Sequence, residues 1–315
     1  MPGTTPHIPP VPDAQGSLHA EGPRLSPLVW GAWRSLEGEE TNTPAKLARF
    51  LDGCLELGIS SFDHADIYGD YGAETLFGQA LREWGGRRSA LQLVTKCDIA
   101  LLSDKQPQTV VKHYNTCGDY IQASVEQSLR KLGTDYIDLL LLHRPDPLMN
   151  PDNTADALDR LLRAGTVLHV GVSNHKPSQI SLLQSRLGRP LVTNQIEFSV
   201  TNLAPLFDGT LDQALELRMR PMAWSPLGGG GLFTGATEQA RRTMDALKAV
   251  GAELGVDDPG TVALAWLMRH PARPVPVLGT TRLERVRSYA QAAQVKMLRQ
   301  QWFQILEAAQ GHPVP

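Results

Sequence analysis

An Asp, a Tyr, a Lys and a His in this chain could together carry a proton to a carbonyl oxygen. Asp63 and Tyr68 lie in FDHADIYGDYGAE (62–74), which packs four acids, a histidine and two tyrosines into thirteen positions after an apolar run. Lys96 and His143 close two later apolar runs, LQLVTKCD (91–98) and DYIDLLLLHRPD (135–146). A phenol of pKa near ~10 is a poor acid or base at neutral pH, and a nearby ammonium favours its phenolate. Lys96 could supply that charge, and Asp63 would keep the amine protonated where burial would strip it. His143 could hydrogen-bond the carbonyl oxygen beside Tyr68 and orient it.

These residues are distant in sequence, so the elements around them must bring them together. From about residue 25, short β-branched or Leu-rich runs alternate with amphipathic segments, the pattern of βα units on a parallel sheet. Eight runs recur: PLVWGAW (27–33), GISSFDHAD (58–66), LQLVTKCD, DYIDLLLLHRPD, VLHVGVSN (167–174), LVTNQIEF (191–198), RPMAWSPL (220–227) and RPVPVLGTT (273–281). Helices are expected at 43–58, with Thr43 as N-cap and Pro44 at the first helical position, at 118–133, and in six further segments, the last two at 258–271 and 282–293. The pattern predicts an α/β fold, a single (β/α)8 TIM barrel with extra helices over 17–315. An open doubly wound sheet would show GxGxxG after its first strand, where this chain reads GAWRSL. Residues 1–16, MPGTTPHIPPVPDAQG, hold five prolines, no Lys or Arg and no apolar core segment, so they are expected to be a flexible, disordered tail and not a signal peptide.

Composition narrows the partners. At 315 residues and 42% apolar, the chain can bury a large core. Its net charge of −3 and scattered Lys and Arg argue against nucleic acid or a membrane surface and for a small-molecule ligand, with no obligate protein partner evident. Three cysteines without CxxC spacing predict reduced thiols in the cytoplasm. No apolar run approaches the ~18 residues of a membrane span.

In a barrel of this kind the active site collects at the C-terminal strand ends. Those ends carry Trp33; Asp63, His64, Asp66 and Tyr68; Lys96; His143; Ser173 and Asn174; Gln195; Trp224 and Ser225; Gly279 and Thr280. His64 and Asp66 admit a metal-hydrolase reading, but such a site wants several His ligands on different strands and Lys96 would repel a cation. No metal is expected. His64 adjoins Asp63 on a strand, so its side chain should face away from the barrel interior.

With DHADIYG (63–69), VTKC (94–97), LLLLHRPDP (139–147), GVSN (171–174), NQIEFS (194–199), AWSPLGGG (223–230) and VLGTTRLERV (277–286) in order, the chain resembles an aldo-keto reductase. HADIYG, LLHRPDP and GVSNH are similar to the bacterial branch that includes the YdhF-like oxidoreductases.

The resemblance implies NAD(P)H-dependent carbonyl reduction with Tyr68 as general acid, Lys96 and Asp63 tuning it and His143 shaping the oxygen site. It puts Ser173, Asn174 and Gln195 on the nicotinamide carboxamide and Trp224 against the ring, with the 4-pro-R hydrogen transferred. Ala32, Trp33 and Asp63 would also border the cofactor. Ser225, Pro226, Leu227, Gly228, Gly229 and Gly230 would form the pyrophosphate loop, since glycines let main-chain N–H groups approach phosphate. Gly279, Thr280, Thr281 and Arg285 would border the adenosine 2′-phosphate, which predicts NADPH over NADH. Two departures bear on this: many members carry Lys where Gly279 stands, and Ser288 and Tyr289 occupy positions often held by Glu and Asn. Trp33, Tyr68, His143 and Tyr114 would line the substrate pocket, whose specificity is expected from loops 100–118, 146–153, 199–212 and 295–315. The same fold also serves as an NADP(H)-binding sensor or regulatory subunit with little or no turnover, which stands as the second reading.

Overall fold

The strands that close the barrel are short, and alternation along them does most of the positioning. The computed structural model describes residues 16–315. The expected tail therefore lies outside the described residues, except for Gly16, whose carbonyl accepts from the Leu25 N–H. In chain order the strands are β1 (Val29–Gly31), β2 (Ser61–Asp63), β3 (Gln92–Cys97), a small hairpin of β4 (Ile99–Ala100) and β5 (His113–Tyr114), then β6 (Leu139–Leu142), β7 (Val170–Ser173), β8 (Leu191–Glu197), β9 (Met222–Trp224) and β10 (Val275–Leu278). All but β4 and β5 form a closed parallel barrel in the order β1, β2, β3, β6, β7, β8, β9, β10, with β10 pairing back to β1. Each of the eight runs read from the sequence contributes one barrel strand.

The helices are α1 (Pro44–Glu56), the irregular turn α2 (Tyr68–Tyr71), α3 (Ala73–Trp84), α4 (Gly118–Leu132), α5 (Pro151–Ala164), α6 (Pro177–Gln184), α7 (Thr210–Glu216), α8 (Gly231–Thr234), α9 (Glu238–Leu254), α10 (Pro259–Arg269), α11 (Leu283–Ala290) and α12 (Arg299–Gln310). Local chemistry sets many of their ends. Thr43, Asn150 and Asp258 each accept from main-chain N–H groups of the first turn, with Pro next in sequence at a position that needs no donor. Gly133, Gly165 and Gly255 end α4, α5 and α9 in the left-handed conformation that glycine adopts without a Cβ clash. Helices α3 and α12 were not read from the sequence. No helix among the described residues is long and apolar enough to cross a membrane.

Inside the barrel, Val29, Val94, Leu139, Leu141, Val192, Met222, Val275 and Val277 form one apolar cluster, which Leu18 and Leu25 of the N-terminal segment complete. A larger apolar layer lies between strands and helices. Side chains alternate across a strand with a period of two, so two residues beyond Val94 the next inward position is Lys96. The polar layer of the site therefore sits on an apolar floor. Gly171 faces inward at the join, where a Cβ would lie 2.8 Å from the Thr193 carbonyl oxygen and 2.9 Å from Leu141 Cδ2. Gly171→Ala should cost about 1–3 kcal/mol through overpacking against main chain. Urea unfolding checks it, and an unchanged midpoint would contradict this account of the layer.

Candidate active site

The turn after β2 answers why so many ionisable groups share thirteen positions, because its acids have different fates. Asp63, on the strand, pairs with Lys96 at 2.6 Å, both side chains being almost fully buried. Asp66 is buried with its carboxyl pushed well above the usual range by burial and then by Glu74. Glu74 is buried too and accepts from the hydroxyls of Thr95 (2.7 Å) and Ser128 (3.1 Å). Asp70 stays outside and meets Lys105 at 3.4 Å. His64 turns away from the barrel interior to pack edge-on against Phe77 of α3, and burial drives it down to about 3, so it is a neutral core group. Among the described residues no group of three or more His, Cys, Asp or Glu side chains is arranged to hold a metal ion.

At the centre, Lys96 Nζ uses its three hydrogens on Asp63 Oδ2 (2.6 Å), the His64 carbonyl oxygen (2.7 Å) and the Tyr68 hydroxyl (3.1 Å). Burial alone would lower the ammonium's pKa, but Asp63, Tyr68 and these hydrogen bonds outweigh it and the pKa is raised. The amine is therefore held protonated. Tyr68 differs from the simple expectation of a favoured phenolate: burial pushes it up by more than Lys96 pulls it down, so its pKa is raised and it stays a phenol at neutral pH. His143 lies across from it, ring centroids 6.0 Å apart, and burial followed by the Lys96 and Arg144 charges holds its pKa well below the usual imidazole range. A neutral imidazole offers one N–H to an oxygen placed between the two rings. Trp33 closes the other side, its ring 4.9 Å edge-on from that of Tyr68.

These groups open into a cavity of ≈ 450 Å³. A second set of side chains is tied into one chain of bonds along it. Gln195 Nε2 donates to Asp63 Oδ1 (2.8 Å), Ser173 Oγ to the Gln195 carbonyl (2.9 Å), Asn174 Nδ2 to Ser173 Oγ (2.8 Å), and Trp224 Nε1 to Asn174 Oδ1 (2.9 Å). Asn174 sits at φ +58°, a conformation that Asn tolerates better than most residues. Beyond Trp224 in the chain, Ser225, Pro226, Leu227, Gly229 and Gly230 line the cavity, as do Gly279, Thr280 and Arg285. Gly229 and Gly230 have φ of +62° and +97° with nothing within 4 Å of a notional Cβ, leaving a concave run of main chain open to a ligand.

Some expected site residues lie elsewhere. Ala32, Gly228 and Thr281 are neighbours of the lining but not part of it, and Tyr114 pairs with Ile99 in the small hairpin and packs beside the Ala65, Ile67 and Tyr71 cluster. None of the four loops expected to set specificity contributes to the wall. Segment 295–315 forms α12, whose Trp302 stacks on Trp266 of α10 at 4.8 Å. Ser288 bonds Asp258 (2.8 Å), while its neighbour Tyr289 does line the cavity. Six further lining residues were missed: Gly31, Arg34, Arg144, Phe233, Val277 and Leu278. For Arg144 the one signal in the sequence was its place next to His143; in the structure its guanidinium lies 5.8 Å over the Trp224 ring.

Comparison with known proteins agrees with this geometry. The aldo/keto reductase family model matches residues 27–310, and the chain belongs to that family. It is 48% identical to the 6-dehydroglucose reductase of Agrobacterium fabrum over 92% of this chain and 96% of that one. It is 46% identical to the oxidoreductase YdhF of Escherichia coli over 95% of this chain and 98% of that one. A crystal structure of the thermostable aldo-keto reductase Tm1743, in complex with the inhibitor epalrestat, superposes with a TM-score of 0.78 at 25% identity, covering 93% of this chain and 98% of that one. The chain is accordingly an oxidoreductase of the NAD(P)H-dependent class.

Lys96→Met leaves the Asp63 carboxylate buried without its cation. The loss should be about 3–5 kcal/mol of unfolding free energy, read from denaturant unfolding at neutral pH. A loss below about 1 kcal/mol, the size of an exposed pair, would contradict the burial of this one.

Proposed function

We propose that this family member reduces an aldehyde or ketone to the alcohol with NADPH in preference to NADH, Tyr68 giving the proton. The observation that carries the reading is the Lys96 ammonium, held by Asp63, donating to a Tyr68 phenol that faces His143 across the cavity. The residues present fit a nicotinamide dinucleotide. Ser173, Asn174 and Gln195 provide the paired donors and acceptors that a carboxamide edge needs, and Trp224 stands beside them for the ring. The open main chain at Gly229 and Gly230 suits a pyrophosphate. Arg285 and Thr280, which line the same cavity, would hold the adenosine 2′-phosphate, with Tyr289 also in the lining.

Bound there, the nicotinamide would supply a hydride from C4, the 4-pro-R hydrogen by family likeness, to the carbonyl carbon. The chain's own residues do the rest. His143 orients the carbonyl oxygen through a ring N–H, Tyr68 releases its proton to that oxygen, and the Lys96 charge stabilises the phenolate left behind. Asp63 and the His64 carbonyl keep Lys96 from following the proton. Trp33 covers the mouth. Because the relative from Agrobacterium fabrum is a 6-dehydroglucose reductase, that oxidised sugar is the first carbonyl to test. A cytoplasmic setting accords with three unpaired cysteines, Cys54 and Cys97 buried and Cys117 exposed.

Tyr68→Phe should lower turnover to about 1% or less, within the ~10²–10⁴-fold contribution of a general acid, while the Kd for NADPH by fluorescence stays near wild type. Full activity in that variant would refute the assignment. Because the raised Tyr68 pKa keeps the proton on through neutral pH and releases it only as pH climbs past that pKa, kcat/KM for reduction should fall on its basic limb only above the ordinary phenol range. Arg285→Ala should weaken NADPH roughly 10–100-fold, the worth of a charge-assisted bond, and leave NADH nearly unchanged. Wild-type-like NADPH affinity in that variant would sink the 2′-phosphate assignment. Tight NADPH binding with no oxidation by 6-dehydroglucose, 4-nitrobenzaldehyde or methylglyoxal would favour the sensor reading instead.

A further inference from the structure

Asp98 follows Cys97 at the end of β3, where the chain leaves the barrel for the β4–β5 hairpin. Its φ of +94° lies where glycine is the ordinary occupant and a side chain brings strain. Such strain persists only where the surroundings over-determine it. Here they do. The Asp98 side chain is wholly buried, and its two oxygens accept from the Arg144 main-chain N–H at 3.2 and 3.1 Å. Its own carbonyl accepts from Asn115 at 2.8 Å, where the chain returns from the hairpin, and the Cys97 carbonyl accepts from the His143 N–H at 3.0 Å. Residues 97 and 98 thus hold the main chain on both sides of the His143 Cα. Lys96, two residues earlier, holds Tyr68.

We propose that Asp98 is a positioning residue for the carbonyl-oxygen site: its carboxyl group, accepting from the Arg144 N–H, fixes the His143–Arg144 main chain and keeps the imidazole opposite Tyr68. Burial pushes the Asp98 carboxyl's pKa well above the usual range, and the Arg144 N–H is the largest influence opposing that rise. An Asp at a glycine-type φ, buried and under the influence of Asp66 and Asp146, is better explained by the bond it makes than by the backbone it tolerates. The kinetic part of this inference rests on the reductase reading; the placement of residue 144 does not.

The test uses the full chain and separates carboxyl group from backbone. Asp98→Gly relieves the φ strain but removes the acceptor, whereas Asp98→Asn tolerates the φ and keeps one acceptor oxygen. Hydrogen exchange of the Arg144 amide should quicken at least ~10-fold in the Gly variant and by an intermediate factor in the Asn variant, with the 173–174 amides unchanged. With 4-nitrobenzaldehyde, Asp98→Gly should lower kcat/KM about 10–100-fold at unchanged NADPH Kd, and Asp98→Asn should stay within about fivefold of wild type. In a His143→Ala background the same Gly change should cost less than about threefold, since the group it positions is gone. Unchanged Arg144 exchange in the Gly variant overturns the proposal, as does an equal kinetic loss in both backgrounds; without a folded Gly variant, an Arg144 amide that exchanges in wild type as fast as a free loop amide overturns it. If wild type oxidises no NADPH, it is the reductase reading that fails, and the exchange measurement alone decides the role of Asp98.

Discussion

A protonated lysine buried at 1% exposure is the constraint on which the site depends. Removing an ammonium from water costs several kcal/mol after relaxation, so it must be fully partnered or it loses its proton. Lys96 meets that demand with three acceptors, one of them the group it serves. Asp63 is constrained in turn, because its second oxygen would be left bare without Gln195. The ion pair therefore joins β2, β3 and β8 across the barrel mouth, and through Ser173, Asn174 and Trp224 the same bonded chain runs along the wall of the cavity. Weakening any link leaves a buried polar group unpaired, which costs more than the bond itself contributed.

The barrel supplies what the pair requires. Parallel strands with a two-residue period stack inward side chains in layers, so valines and leucines below and Asp63, Lys96 and Gln195 above follow from position alone. Leu18 and Leu25 add to the apolar layer from the N-terminal segment. Above the polar layer the chain departs from regular structure at several points. Tyr71, Asp98, Asn174 and Ser225 all take positive φ without being glycine. Each lies within three residues of a group that lines the cavity or bonds to one that does. Arg218 and Arg273, also at positive φ, precede β9 and β10 at the opposite end, so irregular backbone is frequent at the rim that a site assembled from separate strand ends needs without being confined to it.

The sequence made the eight strands and the group of Asp63, Tyr68, Lys96 and His143 legible because both depend on short-range order: apolar runs, and polar residues where they stop. What escaped depends on distant contacts. Tyr114 sits in a two-residue strand too short to carry periodicity, and it packs beside the cluster of Ala65, Ile67, Tyr71 and Ile99, outside the cavity lining. Helix α12 is placed by the stack of Trp302 on Trp266, 36 residues away, which no local pattern announces. Helix α3 went unread although AETLFGQALREW has helical spacing, because the acidic turn before it drew the chemical reading. Arg34 and Arg144 look like solvated charges beside more conspicuous neighbours. The raised pKa of Tyr68 could not be read either, since opposing effects of burial and charge are decided by degree of burial and not by residue type.

The central claim is that hydride and proton meet at a carbonyl held between Tyr68 and His143. Its most direct test is reduction of an aldehyde with NADPH carrying deuterium at the 4-pro-R position, followed by location of the label. The account predicts deuterium on the carbinol carbon of the alcohol. Alcohol formed with the deuterium still on the oxidised nicotinamide would contradict the assigned face, and no alcohol from any carbonyl that the cavity admits would contradict the reductase itself.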